Sequence, residues 1–322
     1  PLIHQIIKKW CGLDETGPSS LLFLDTETTG LAGGAGTFAF MVGIGFYNDE
    51  HFIIKQYFLC DPIYEAAMLT TLSERYGGYQ TVVSFNGKSY DMNLLKRRYV
   101  MQSLDWPFEN CSQIDLLHLS RKLWKNILPD CSLQQIERSV LMQERQGEED
   151  IPGSQIPHEY FSYLRCGDPE RMPNIFYHNN LDVKSMGDLL NCISTLLNYP
   201  HIHLTPFSGL IDGIAIGCFF EEMDEVKRAE EVYRHVIDVN PKNPKDVSVK
   251  LRLAMLLKRQ NRFSESVELW QDAGRSGDVS ASIELAKYYE HKMKDMDLAL
   301  HWASSTLNIL DKDLPNFMQQ FD

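Results

Sequence analysis

The chain turns from apolar to polar within one short stretch: Leu21-Leu22-Phe23-Leu24 runs directly into Asp25-Thr26-Glu27-Thr28-Thr29-Gly30. Four apolar residues without a breaker predict a short buried strand. Two further strands are predicted at Thr37 to Tyr47 and His51 to Leu59, joined by Asn48-Asp49-Glu50, which has hairpin-turn chemistry. A helical stretch from Glu65 to Tyr76 leads to a fourth strand, Thr81 to Phe85, and then to a helix from Met92 to Met101. The segment Ser112 to Lys125 sets Asp115 before an amphipathic helix, and Ser132 reads as the N-cap of a helix through Val140. Residues 143–156, charged and containing Pro and Gly, read as a surface loop, and a helix is expected around Asn174 to Leu197. Strands that come first as hairpins and then with helical crossovers predict an α/β fold, a mixed sheet flanked by helices. The glycine-rich loop Gly30 to Gly36 carries no Lys-Ser/Thr after its glycines, which excludes a phosphate-binding P-loop. Residues 1–20 hold an amphipathic turn or two (Leu2, Ile3, Ile6, Ile7, Trp10) and a Gly-Pro-Ser-Ser loop, to which only a packing role is assigned.

After Pro200-His201-Ile202-His203 the pattern changes, and from about Leu210 it is helical throughout. Gly217, Phe220, Ala229, Tyr233 and Pro241 have the small-aromatic-small-aromatic-Pro spacing of a tetratricopeptide repeat. The pattern returns at Ala254, Leu257, Ser266 and Trp270, and more loosely at Ala286, Tyr289, Ala299 and Trp302. Three helix pairs suffice for a small stack; an ordinary helical bundle is the other reading. The expected division is a domain over residues 1–203 and an all-α repeat domain over residues 204–322, the latter a surface for a protein partner.

Length and composition agree with two domains. The chain has 322 residues and 43% hydrophobic content, and its mean hydropathy is -0.28. Its longest apolar run, Thr37 to Tyr47, is about half of the ~20 residues a membrane helix needs, so no membrane partner is expected. No export signal opens the chain; it starts at Pro1, and the expectation is a fragment whose N-terminus lies upstream. Seven cysteines with no Cys-x-x-Cys pair point to a reducing cytoplasm rather than to disulfides or zinc. A net charge of -13 argues against nucleic acid only if it is evenly spread. It is not: between Lys88 and Lys125 seven basic residues face four acidic ones.

The candidate chemistry lies in the acids. Asp25 and Glu27, spaced i and i+2 on a strand, share a face; Asp91 follows a later strand; His178 and Asp182, spaced i and i+4 on a helix, share another face. Like charges gathered from separate elements match what hard cations such as Mg²⁺ or Mn²⁺ need, and a pair of such ions activates water in phosphoryl displacement. His178 is then placed to take the proton of the attacking water.

The motifs Asp25-x-Glu27, Asn86-x-x-x-Tyr90-Asp91 and His178-x-x-x-Asp182 resemble the three exonuclease motifs of the DEDD superfamily, which has a ribonuclease H-like fold. DTETTGLAGGAGT, SFNGKSYD, CSLQQIERSVL, DIPGSQIPHEYFSYL and HNNLDV more closely resemble the bacterial YprB-like ribonuclease H-like proteins, some of which carry C-terminal tetratricopeptide repeats. The resemblance covers residues 20–197 well and the helical tail more loosely. It implies a two-metal 3′ to 5′ exonuclease acting on a DNA or RNA 3′ end, with Asp25, Glu27, Asp91 and Asp182 as ligands of Mg²⁺ or Mn²⁺ and His178 as general base. The histidine stands four residues before the last Asp, where members with tyrosine carry it; members with histidine usually place it five before. For substrate contact the candidates are Thr28 and Gly30, where backbone can approach a strand end, Asn86 and Lys88 in the turn, and Lys96, Arg97 and Arg98 on the following helix. Other readings remain for several: a surface histidine at 178, a turn-ordering Asn86, a helix-capping Asp115 that could also be an outer acid of the site, and a solvated basic face at 96–98. The rival functions are a non-cleaving nucleic-acid-binding adaptor and a structure-selective endonuclease.

Overall fold

β1, Leu21–Thr28, is the middle strand of a five-stranded sheet in the computed structural model, because its apolar first half is covered on both faces. The structure describes residues 7, 9, 17–30, 36–48, 51–145, 150–200, 212–239 and 246–318. Leu2, Ile3, Ile6 and Trp10, residues 31–35 of the glycine-rich loop, Asp49 and Glu50 of the hairpin turn, residues 201–211 and Pro241 lie outside them. The chain divides into two units, Pro1–Tyr199 and Pro200–Asp322.

In the first unit the strand order is β3-β2-β1-β4-β5, with β2 Ala39–Asn48, β3 His51–Phe58, β4 Thr81–Ser84 and β5 Ser112–Asp115. β1 and β3 each pair antiparallel with β2, whereas β1, β4 and β5 are parallel neighbours. The sheet is therefore mixed, as the order of hairpin and helical connections predicts. Glu27 opposes Met41 while Thr28 opposes Ala39, so the β1–β2 register slips by one residue beside Glu27. Such irregularities bend a strand and re-aim its side chains next to a site.

The helices of this unit are α1 Glu65–Tyr76, α2 Asp91–Met101, α3 Leu116–Trp124, α4 Leu133–Ser139, α5 Ile156–Cys166 and α6 Met172–Asn198. Leu22 and Leu24 of β1 join a core with Leu69 and Leu72 of α1 and Leu94 and Tyr99 of α2. In the same core the Tyr160 ring of α5 stacks on Phe40 at 3.9 Å, and its hydroxyl donates to the Leu59 carbonyl at 3.0 Å. α6 runs along the opposite face of β1 and β2.

The second unit comprises α7 Gly213–Glu222, α8 Val226–Val239, α9 Asp246–Arg259, α10 Phe263–Arg275, α11 Val279–Tyr288 and α12 Met296–Met318. Consecutive helices pack as neighbours, and small residues face large ones between them. A Cβ on Gly217 would come within 2.2 Å of the Tyr233 ring, and one on Gly274 within 2.8 Å of Trp302. Ala254, Trp270, Ala273, Ala281, Leu285 and Trp302 form the core of the later pairs. Among the described residues, no helix is long and apolar enough to cross a membrane.

Candidate active site

Alternation along β1 sends Phe23, Asp25 and Glu27 to the face covered by α6. On α6, His178 and Asp182 are one turn apart and point back at that strand end. One ligand atom each from Glu27, His178 and Asp182 lie within 4.8 Å of one another. Asp91 enters from the first turn of α2, where its carboxylate accepts a hydrogen bond from the Thr26 hydroxyl. The four acids feel one another. Burial raises the Asp25 carboxyl well above the usual carboxylate range, and the charges of Asp182, Glu27 and Asp91 push it further. Burial, Asp182 and Asp91 likewise lift Glu27 to about 8, and burial carries Asp91 to about 6 although the Thr26 hydrogen bond opposes it. The Asp182 carboxyl is raised by burial against the lowering effect of His178 and Arg145.

Around this cluster stand residues to which the sequence assigned no role. Asn179, fully buried on α6, donates from Nδ2 to Asp25 Oδ2 at 2.8 Å, and its Oδ1 accepts from Gln56 Nε2 of β3 at 2.9 Å. His178 Nδ1 lies 2.6 Å from Asp150 Oδ1. A carboxylate only accepts, so the short contact with Asp150 favours a proton on Nδ1, while Nε2 lies 3.6 Å from Asp182 Oδ2. Arg145 forms two bonds of 2.7 Å to Glu137 of α4 and an ion pair with Asp182. The described part of the expected surface loop, residues 143–145 and 150–156, is thus not simply surface; residues 146–149 lie outside the described residues. The Arg145 and Asp150 side chains are only 11% and 13% exposed, drawn inward by opposite charge.

The basic candidates are placed differently. Asn86, in the left-handed region at φ 63°, and Lys88 are exposed in the turn that leads to Asp91. Asp115 builds that turn: its carboxylate accepts from the backbone of Asn86 at 2.9 Å and Lys88 at 3.3 Å, and also caps α3 through Leu117. Further along α2, the half-buried Arg98 forms a two-bond pair with the buried Glu65, both at 2.6 Å, and Lys96 pairs with Glu109 on the surface. Arg97 is exposed, with its Nε donating to the Asn93 carbonyl. Thr28 is buried; its hydroxyl donates to the Gly30 carbonyl, which also accepts from the Tyr90 hydroxyl at 2.5 Å. That contact ties the end of β1 to the residue before Asp91.

The donor set fits a hard divalent cation, since it consists of carboxylate oxygens with one imidazole, and each carboxylate suppresses ionisation of the next unless positive charge arrives. The family model RNase_H_2 matches residues 22–194, a span that holds all four acids and the histidine. The chain belongs to the RNase_H superfamily. It is 30% identical over 320 residues to the uncharacterized protein YprB of Bacillus subtilis (strain 168), covering 95% of this chain and 75% of that one. Among solved structures it is similar to the family B DNA polymerase from the hyperthermophilic archaeon Pyrobaculum calidifontis, with 16% identity and a TM-score of 0.41. That match covers 67% of this chain and 29% of the polymerase. Membership of the superfamily supports a nuclease-type function with nucleic acid as substrate, and the acidic cluster supplies a possible metal site.

Gly43 lies directly opposite Asp25 in the β1–β2 pair, and a Cβ there would come within 2.3 Å of Asn179 Oδ1 and 2.8 Å of a Val183 methyl. Only glycine leaves Asn179 room to reach Asp25. Gly43→Ala is expected to cost about 1–3 kcal/mol from overpacking and to weaken Mn²⁺ binding by roughly 10–100-fold through the displaced Asn179. Thermal melts and Mn²⁺ titration check this; wild-type values for both would show that Asn179 does not govern Asp25.

Proposed function

We propose that the protein is a nuclease that removes nucleotides from the 3′ end of a nucleic acid in the cytosol, using two divalent ions, Mg²⁺ or Mn²⁺. What supports the reading is the gathering of carboxylates from β1, α2 and α6 at one strand end, close enough that the charge of Asp182 raises the proton affinity of Asp25, Glu27 and Asp91. Asp25, Glu27, Asp91 and Asp182 would hold the ions. Two bound ions supply an activated water and neutralise charge on the leaving oxygen in an in-line displacement.

The chain's own residues do the rest. His178 accepts the proton of the attacking water at Nε2, while Asp150 holds the ring by its Nδ1–H. Asn179 and Thr26 fix the rotamers of Asp25 and Asp91. Lys88 and Asn86, exposed on the turn before Asp91, are assigned to the backbone of the substrate, as are Thr28 and Gly30 at the end of β1. Arg97 and Lys96 extend that path along α2, one to two turns from Asp91. Arg98 contributes indirectly by pinning α2 to Glu65. The helical unit is read as a tetratricopeptide-like stack that docks a protein partner, supported by the small-to-large packing of Gly217 on Tyr233 and by the Ser266 hydroxyl bonded to the Ala254 carbonyl at 3.0 Å.

The test uses 5′-labelled single- and double-stranded DNA and RNA, with a circular control, in Mg²⁺ and in Mn²⁺. A ladder shortening from the 3′ end is expected. Binding without shortening would mean an adaptor, and cutting of the circle an endonuclease.

A further inference from the structure

The guanidinium of Arg145 sits where a cation is wanted. It is held on one side by Glu137, through Nε to Oε2 and Nη2 to Oε1, both at 2.7 Å. On the other side the same Nη2 pairs with Asp182 Oδ1, while Nη1 lies 3.3 Å from His178 Nδ1 and 3.7 Å from Asp150 Oδ1. Glu137 is buried, with a side chain 3% exposed, and Arg145 is 11% exposed, so this is an interior ion cluster rather than a surface pair. We propose that Arg145 is a built-in counter-cation of the acid cluster, which holds Asp182 and His178 in place before metal arrives and which a divalent ion must displace from Asp182.

The argument is one of shared oxygens. One Asp182 oxygen is committed to the guanidinium and the other faces His178 Nε2. An ion that claims Asp182 meets a fixed positive charge already there, and like charges at contact distance repel strongly where water is excluded. Because Glu137 grips Arg145 by two parallel bonds, displacement from Asp182 does not release the side chain to solvent. It leaves a guanidinium anchored at the edge of the site with donors to spare. A substrate phosphate is the kind of anion that would take them, so metal loading and substrate loading assist each other. Arg145 is in this account a positioning residue, acting through Asp182 and His178.

The inference rests on reading the cluster as a metal site, and its test is binding rather than cleavage. Arg145→Gln alone would leave Glu137 buried without a cation, so the main variant is E137Q/R145Q, whose net charge equals that of the wild type. Glu137 lies beyond Arg145 whereas Arg145 touches Asp182, so loss of the competitor should dominate. Calorimetric titration of metal-depleted protein with Mn²⁺ is expected to show at least about tenfold tighter binding in the double variant. Equal or weaker binding, or no Mn²⁺ binding by either protein, overturns the proposal. On the wild type itself, the Arg145 side-chain Nε–H resonance should shift as Mg²⁺ is added. A resonance that stays put at saturating Mg²⁺ overturns it whether or not the variant folds. A protein that binds Mn²⁺ in this way yet shortens no strand would refute the nuclease reading and leave the role of Arg145 standing.

Discussion

Asp25→Asn is expected to abolish metal-dependent strand shortening while leaving the protein folded and, without metal, more stable than the wild type. Both halves follow from the same geometry. Asp25 lies among Asp182, Glu27 and Asp91, and burial together with those three charges opposes its ionisation. An amide of the same shape removes that repulsion and still accepts the hydrogen bond that Asn179 Nδ2 gives to Oδ2. The amide is a weaker ligand for a hard cation than a carboxylate. Metal-borne charge stabilisation in such a transition state is worth several kcal/mol, and loss of about 4 kcal/mol corresponds to ~10³-fold in rate. Two measurements decide it: ladder formation on a 5′-labelled strand, and thermal melts in EDTA. A variant that shortens the strand at the wild-type rate removes Asp25 from the chemistry. A variant that melts well below the wild type in EDTA shows that Asp25 is structural instead.

The parts of this site that could be read from the chain are those whose chemistry is local. Asp25 and Glu27 end an apolar run, Asp91 follows a strand and a turn, and His178 and Asp182 share a helical face. Each of these patterns needs only neighbours in sequence to be meaningful. The partners of the site do not work that way. Arg145 meets Asp182 across 37 positions and Asp150 meets His178 across 28. In a run such as Arg145-Gln146-Gly147-Glu148-Glu149-Asp150, exposed charge is the ordinary expectation. Asn179 was more accessible than it looked. Ile175, Asn179, Val183 and Met186 fall on one stripe of α6, so an amide stands in an otherwise buried apolar face. Its counterpart is the glycine within the apolar run of β2, since glycine inside a strand marks close approach of another group. β5 lacked a signal of its own: Ser112-Gln113-Ile114-Asp115 has a single apolar residue, and only its pairing with β4 makes it a strand. The helical character of the second unit was legible through period rather than partners, because its consecutive helices pack as neighbours along the chain.

The second large effect is a coupling of pH, metal and stability. Glu27 has an ordinary value of 4.5 and stands at about 8 in the folded protein; for Asp91 the values are 3.8 and about 6. Both folded values are raised, so the folded state holds protons that the unfolded chain has already released. Between about pH 4 and pH 8 folding takes up protons, and metal-free stability must fall as pH rises through that window. It is fully present below the unfolded values and lost once pH passes the folded ones. Each pKa unit is worth about 1.4 kcal/mol, so the loss is on the order of several kcal/mol, or roughly 10 °C in melting midpoint for a unit of this size. A divalent cation reverses the sign of the local field, since it binds the ionised carboxylates and competes with their protons. The melting midpoint in EDTA should therefore decline from pH 5 to pH 8, and the increment produced by saturating Mg²⁺ should grow over the same range. Glu27→Gln should flatten the metal-free profile, because it deletes a carboxyl that burial and its neighbours lift to about 8 and relieves Asp25 of its charge. A metal-free midpoint that is level or rises across this window, in a wild type whose Mg²⁺ increment does not change with pH, would mean that these acids are neither crowded nor protonated. The case for a cation at the end of β1 would then be lost.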